Sequence, residues 1–277
     1  MANFPGTEDL WAGYQKLYQM HPHHLLPLET ALPAELQPES RDKYRIVMTM
    51  ILAPGKGDKP LDRCLGKLFK RHPDFDSFRD PPTKDYIRKL LGNKETGGIG
   101  LGLSDPDRSG NGARLWNLLR LYFESWHEKI TPYNIQALTG ERGFKLHIVR
   151  SLEAYCFGNR DAFPLDRPAF RALCNGGMYE YESDIDEVRK DVERKLREKK
   201  DVSLIDFHEM LRFIEQYTGK SKQKQKEIIV GWNAWRLLCS AERDQITMNW
   251  KWIYEHLVKD RDIAEELWGF YHEIDCC

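Results

Sequence analysis

Apolar residues recur every three to four positions along most of this chain, and no stretch alternates apolar with polar residues as a half-buried strand would. Behind Ser40, a good N-cap residue, Tyr44, Val47, Met48, Ile51 and Leu52 share one face of a predicted helix. Pro54, Gly55 and Gly57 stop it. Pro60 suits the first turn of the next helix, whose apolar stripe is Leu61, Cys64, Leu65, Leu68 and Phe69. A third helix is predicted over 84–91. A fourth, strongly amphipathic, buries Leu115, Leu118, Leu119, Tyr122, Phe123 and Trp126. Thr131-Pro132 opens a short fifth. Farther on, the pattern predicts a helix to about Leu173, the turn Asn175-Gly176-Gly177 and a highly charged helix near 184–200. One helix then carries Phe207, Leu211 and Ile214, and another Ile228, Trp232, Trp235 and Leu238, before an aromatic-rich tail from Thr247. The predicted class is all-α.

The segment 138–166, LTGERGFKLHIVRSLEAYCFGNRDAFPLD, breaks this regularity in an informative way. It reads as the end of one helix, a tight hairpin with Gly140 and Gly143, and a second helix. A Pro-containing turn then delivers Asp166 immediately before Arg167-Pro168. Hairpin amides can meet a phosphate, and a carboxylate so placed can meet a reacting centre. Asp166 has two compatible readings. It can cap the helix that begins near Pro168, and it can be catalytic, because a helix N-terminus keeps a carboxylate ionised.

Composition narrows the classes. At 277 residues the chain can form one large or two modest domains, and 41% hydrophobic with 31% charged residues describes a soluble globular protein. No apolar run reaches the roughly 18 residues that span a bilayer, and MANFPGTEDL lacks the regions of a signal peptide, so a cytoplasmic, membrane-free protein is expected. Cys64, Cys156, Cys174, Cys239, Cys276 and Cys277 show no CxxC spacing and read as buried thiols, the terminal pair as exposed and reactive. No metal is expected, since His21, His23 and His24 sit in a Pro-interrupted segment without acidic or cysteine partners. GGIGLG at 97–102 has no preceding strand and no GKS or GKT, so it reads as a flexible connection between helices rather than a nucleotide loop.

Net charge of −1 argues neither for nor against nucleic acid; a DNA partner requires basic residues gathered on one face. The segment 188–200 alternates bases with acids at helical spacing and reads as a solvated face. The segment 219–227 holds Lys220, Lys222, Lys224 and Lys226 against one acid, which makes it a candidate backbone contact.

Taken in order, these segments resemble the helix-hairpin-helix DNA glycosylases, the superfamily that includes endonuclease III. The likeness covers about 40–173. The early helix, polar loop and Asp58 match that family's opening segment, and the loop that usually carries a gap-filling Gln reads Pro54-Gly55-Lys56 here. The glycine-rich stretch with its following helix comes next, longer than usual. Leu138, Thr139, Gly140 and Gly143 then stand where the family has Leu-Pro-Gly-x-Gly, with Glu141-Arg142 making the hairpin one residue longer.

The resemblance implies a six-helix domain over 44–158, ending in the helix-hairpin-helix. It implies a second helical domain from 1–43 plus 159–277 that carries the catalytic Asp, with a DNA-binding groove between the two. It implies double-stranded DNA as partner, a monomer, and excision of a damaged or modified base, with Asp166 stabilising an oxocarbenium-like state and activating the nucleophile. DNA-contact residues would be Gly140, Arg142, Gly143 and Phe144 of the hairpin, with Lys56; Lys220, Lys222 and Lys224 lie beyond the likeness and join them on local charge alone. A monovalent cation at the hairpin is a further implied ligand; an iron–sulfur cluster is not, because four clustered cysteines are missing. Bifunctional members add a lysine at the start of the second hairpin helix. Counting forward from Gly143 puts Lys145 in that slot, and counting back from Phe157-Gly158 puts His147 there. Lyase activity and the base removed stay open, as do two rivals: a non-catalytic DNA-binding module and an unrelated helical protein.

Overall fold

The computed structural model describes residues 40–53, 58–78, 81–198 apart from 94 and 96, 203–217, 219–225 and 228. Loop 54–57 with Lys56, the N-terminal histidines, Lys226, the expected helix positions Trp232, Trp235 and Leu238, the aromatic tail, and Cys239, Cys276 and Cys277 lie outside the described residues. Every regular element among the described residues is helical, in keeping with the all-α expectation. The chain divides into two compact units that adjoin in sequence at Gly158 and Asn159.

The first unit holds α1 (Ser40–Leu52), α2 (Asp58–Arg71), α3 (Lys84–Leu91), α4 (Asn111–Glu124), α5 (Pro132–Ala137) and α6 (Leu146–Phe157). The stripe on α1 is fully buried at Tyr44, Val47, Met48, Ile51 and Leu52, and α1 packs on α4 and α6. On α2, Leu61, Cys64, Leu65, Leu68 and Phe69 are buried as their spacing requires. An aromatic corner joins α2 to α3 and α4. His72 stacks on Phe78 with ring centres 3.9 Å apart, and the Tyr44 hydroxyl donates to the His72 carbonyl at 2.7 Å. His72 Nε2 lies 2.5 Å from the Tyr86 hydroxyl.

The glycine-rich connection differs from the flexible link expected. It doubles back along the end of α3: the amides of Ile99 and Leu101 donate to the carbonyls of Leu90 and Leu91 at 2.8 and 3.1 Å. Both side chains are 1% exposed. The last carbonyls of a helix lack intrahelical donors, so this run supplies them. A Cβ on Gly98 would stand 2.4 Å from the Gly92 carbonyl oxygen, which requires glycine at this crossing. Lys84 and Arg88 of α3 pair with Asp107 at 2.5 and 2.6 Å and pin the loop's far side.

The second unit holds α7 (Arg167–Asn175), α8 (Ile185–Arg197) and α9 (Leu204–Tyr217). Its core gathers Phe163, Leu165, Ala169 and Leu173 with Val188, Val192, Phe207 and Leu211. Asp184 caps α8 by accepting from the amides of Asp186 and Glu187. Lys190, Arg194 and Lys195 pair with acids one turn away on α8 itself. That charge run is a self-neutralised helix face. The described cysteines, Cys64, Cys156 and Cys174, are buried free thiols, and burial pushes the Cys156 thiol well up from its ordinary range.

Candidate nucleic-acid interface and carboxylate site

The hairpin grows from α5. The Thr131 side chain accepts the Asn134 amide at 3.2 Å and Pro132 takes the first turn, so that short helix has a fixed start. It tightens into a 3₁₀ turn, Leu138–Gly140, and the Glu141 amide donates back to the Leu138 carbonyl at 2.9 Å. Gly143 reverses the chain at φ +89°, where an added Cβ would also stand 3.0 Å from Arg114 Cγ. Phe144 is buried, and Lys145 serves as N-cap of α6 with no side chain capping that helix.

Glu141 and Arg142, the pair that lengthens the hairpin, are used as tethers. Glu141 pairs with Arg120 of α4 at 2.9 Å, Asn117 donates to the Arg142 carbonyl at 3.0 Å, and Arg142 Nη1 donates to the Asp107 carbonyl at 2.7 Å. The Arg142 guanidinium thus binds the glycine-rich loop. Beneath sits Arg114, buried, donating to the Ile51 carbonyl and to Asn111. Burial pulls its guanidinium down to about 10, so it stays charged at neutral pH.

What the hairpin leaves open is backbone. The amides of Arg142 and Gly143 meet no acceptor among the described residues. Gly140 is exposed, and an added Cβ there would meet nothing within 4 Å. Amides beside an uncapped helix start form a site suited to an anionic oxygen. Lys145 is exposed at this edge, and His147, the second residue of α6, is half-buried. Three of the hairpin's carbonyls, those of Leu138, Glu141 and Arg142, already accept hydrogen bonds. The carbonyls of Thr139, Gly140 and Gly143 accept no hydrogen bond among the described residues, and they are the hairpin oxygens that would hold the implied cation.

Asp166 is the N-cap of α7, with extended backbone at φ −101° and ψ 175°. Its Oδ1 accepts the Ala169 amide at 3.0 Å. Its Oδ2 lies 3.2 Å from Arg212 Nε of α9, off the line of the N–H, so the contact is an ion pair rather than an aligned hydrogen bond. The Asp166 side chain keeps 20% of its surface exposed, enough for solvent to reach it. Lys220, Lys222 and Lys224 are exposed just after α9, beyond Gly219 at φ +74°.

The hairpin residues therefore come together around α4, while Asp166 stands in the second unit with Arg212. Two residues escaped sequence reasoning. Arg212 lies 46 positions from Asp166, and nothing local marks it. Leu103 is 66% exposed on left-handed backbone at φ +46°. A leucine between Gly102 and Ser104 in a glycine run was the available signal, and an exposed apolar side chain of this kind can wedge between bases. Among the described residues no group of three or more His, Cys, Asp or Glu gathers to hold a metal. No described helix is long and apolar enough to cross a membrane. Comparison of the chain with protein-family models, with curated proteins and with solved structures gives no match.

Proposed function

We propose that this chain is a DNA N-glycosylase that flips a damaged or modified base out of double-stranded DNA and cleaves its glycosidic bond, acting as a monomer in the cytoplasm. The observation that carries the reading is the setting of Asp166: a solvent-reachable carboxylate at a helix N-terminus, held by a capping bond and an ion pair. As the base leaves, positive charge develops on the sugar, and a fixed carboxylate beside it stabilises that charge and orients water for attack. The open hairpin amides support the second half of the reading, because they suit one phosphate of the backbone. Lys145 is exposed to water, whereas a lysine nucleophile needs a desolvated amine. Water is therefore the proposed nucleophile, and a borohydride-trapped adduct would show otherwise.

The decisive experiment is mass spectrometry of bases released from panels of damaged and naturally hypermodified duplexes. Asp166→Asn keeps an oxygen for the Ala169 amide and loses the charge, so release is expected to fall by about 10²–10³-fold with duplex affinity retained. Undiminished release would sink the assignment. One observation favours a second reading, a non-catalytic helix-hairpin-helix module. Both oxygens of Asp166 are already engaged, as a purely structural cap would have them. That reading expects duplex binding and no released base from any substrate.

A further inference from the structure

Helices α7 and α9 are joined by charged contacts along their length. Arg160, just before α7, meets Asp206 at 3.2 Å, Asp166 meets Arg212 at 3.2 Å, and Arg171 meets Glu215 at 2.6 Å. The first and third join long exposed cations to acids on the flank of α9. The middle one differs. Its acid is the N-cap of α7, and its arginine is only 30% exposed, held by a helix whose Phe207 and Leu211 lie in the core.

We propose that Arg212 is a positioning residue for Asp166, setting the plane of its carboxylate for the charge that develops on the sugar; this rests on the glycosylase reading. The Oδ1 bond to Ala169 fixes one oxygen of the carboxylate, and the second can turn about that bond. The ion pair at Oδ2 supplies a second fixed point. A guanidinium suits the task because it is always charged, so its pull on Oδ2 acts without an aligned hydrogen bond. Pre-set orientation matters because a charge stabilises a transition state fully only when no reorganisation is left to do. Arg212 itself touches neither base nor sugar in this account.

The test needs no knowledge of the base. Two duplexes are compared by fluorescence anisotropy with the full-length chain: one bears a pyrrolidine abasic nucleotide, cationic like the sugar at the transition state, the other its neutral tetrahydrofuran counterpart. Wild type is expected to prefer the cationic duplex by about tenfold or more, and Asp166→Asn to bring the ratio near one. Arg212→Ala should lose most of the preference while binding the neutral duplex as wild type does, and Arg212→Lys should recover a large part of it. Arg171→Ala, which breaks the neighbouring pair on the same two helices, should leave the ratio unchanged. Should Arg212→Ala not fold, Arg212→Gln keeps the stem and removes the charge. A wild-type ratio kept or increased without the Arg212 charge overturns the inference and leaves the glycosylase reading standing. A wild type with no preference for the cationic duplex overturns the role of Asp166 and the inference with it.

Discussion

Burial against Phe78 and beside Tyr86 keeps His72 below the ordinary imidazole range, and the Arg71 charge acts in the same direction. The neutral ring is the form that fits, because a charged one would lose its water. An unfolded histidine takes up its proton near pH 6.5. The unfolded chain therefore binds a proton first as the medium is acidified, and stability must rise with pH through this region. The contribution of His72 is fully present above the unfolded value and is lost as pH falls through the lower folded one. Thermal melts at pH 7.5, 6.5 and 5.5 should show falling midpoints, and His72→Gln, which cannot titrate, should show a shallower fall. An equal fall in both proteins would place the acid sensitivity elsewhere.

At the scale of elements, the hairpin contains two glycines that spacing alone treats alike and geometry separates. Gly143 is required twice over, by its left-handed backbone and by the Arg114 stem against it. Gly143→Ala is expected to cost about 1–3 kcal/mol in urea unfolding. Gly140 faces open space without a left-handed backbone, so Gly140→Ala should be neutral within about 0.5 kcal/mol. Equal costs for the two would refute this picture of the turn. The same contrast marks what was legible. Helices α1 to α4 follow from stripes and caps, because their period is local and a Thr, a Pro or a Gly punctuates them. The burial of Ile99 and Leu101 was not legible, since a run of glycines and leucines reads as a linker until the carbonyls ending α3 are there to be met. On α9 the expected stripe was Phe207, Leu211 and Ile214, yet Phe213 is wholly buried and Ile214 only partly. Arg142 read as a phosphate contact; its exposed guanidinium also donates through Nη1 to the Asp107 carbonyl, a partner 35 positions away that no local pattern announces.

For the whole molecule, the formal charge of −1 limits how DNA can be held. Much of the described basic charge is spent internally: Lys84, Arg88, Arg120, Arg194 and Arg212 all pair with acids. Lys145, Lys220 and Lys222 are exposed and enter no ion pair among the described residues. Backbone amides bind a phosphate without acting as mobile cations, so a hairpin-led grip releases few counterions. Each phosphate neutralised contributes about −0.9 to the slope of log affinity against log salt, so a slope of about −2 to −4 is expected. Anisotropy titrations of an undamaged duplex between about 50 and 200 mM KCl measure it. Replacing Lys220, Lys222 and Lys224 together by alanine should flatten the slope by about 2–3 if that segment lies on the backbone, and by nothing if it does not. A wild-type slope near −10, the signature of a broad cationic face, would mean that charge outside the described residues leads the contact and that the hairpin is secondary.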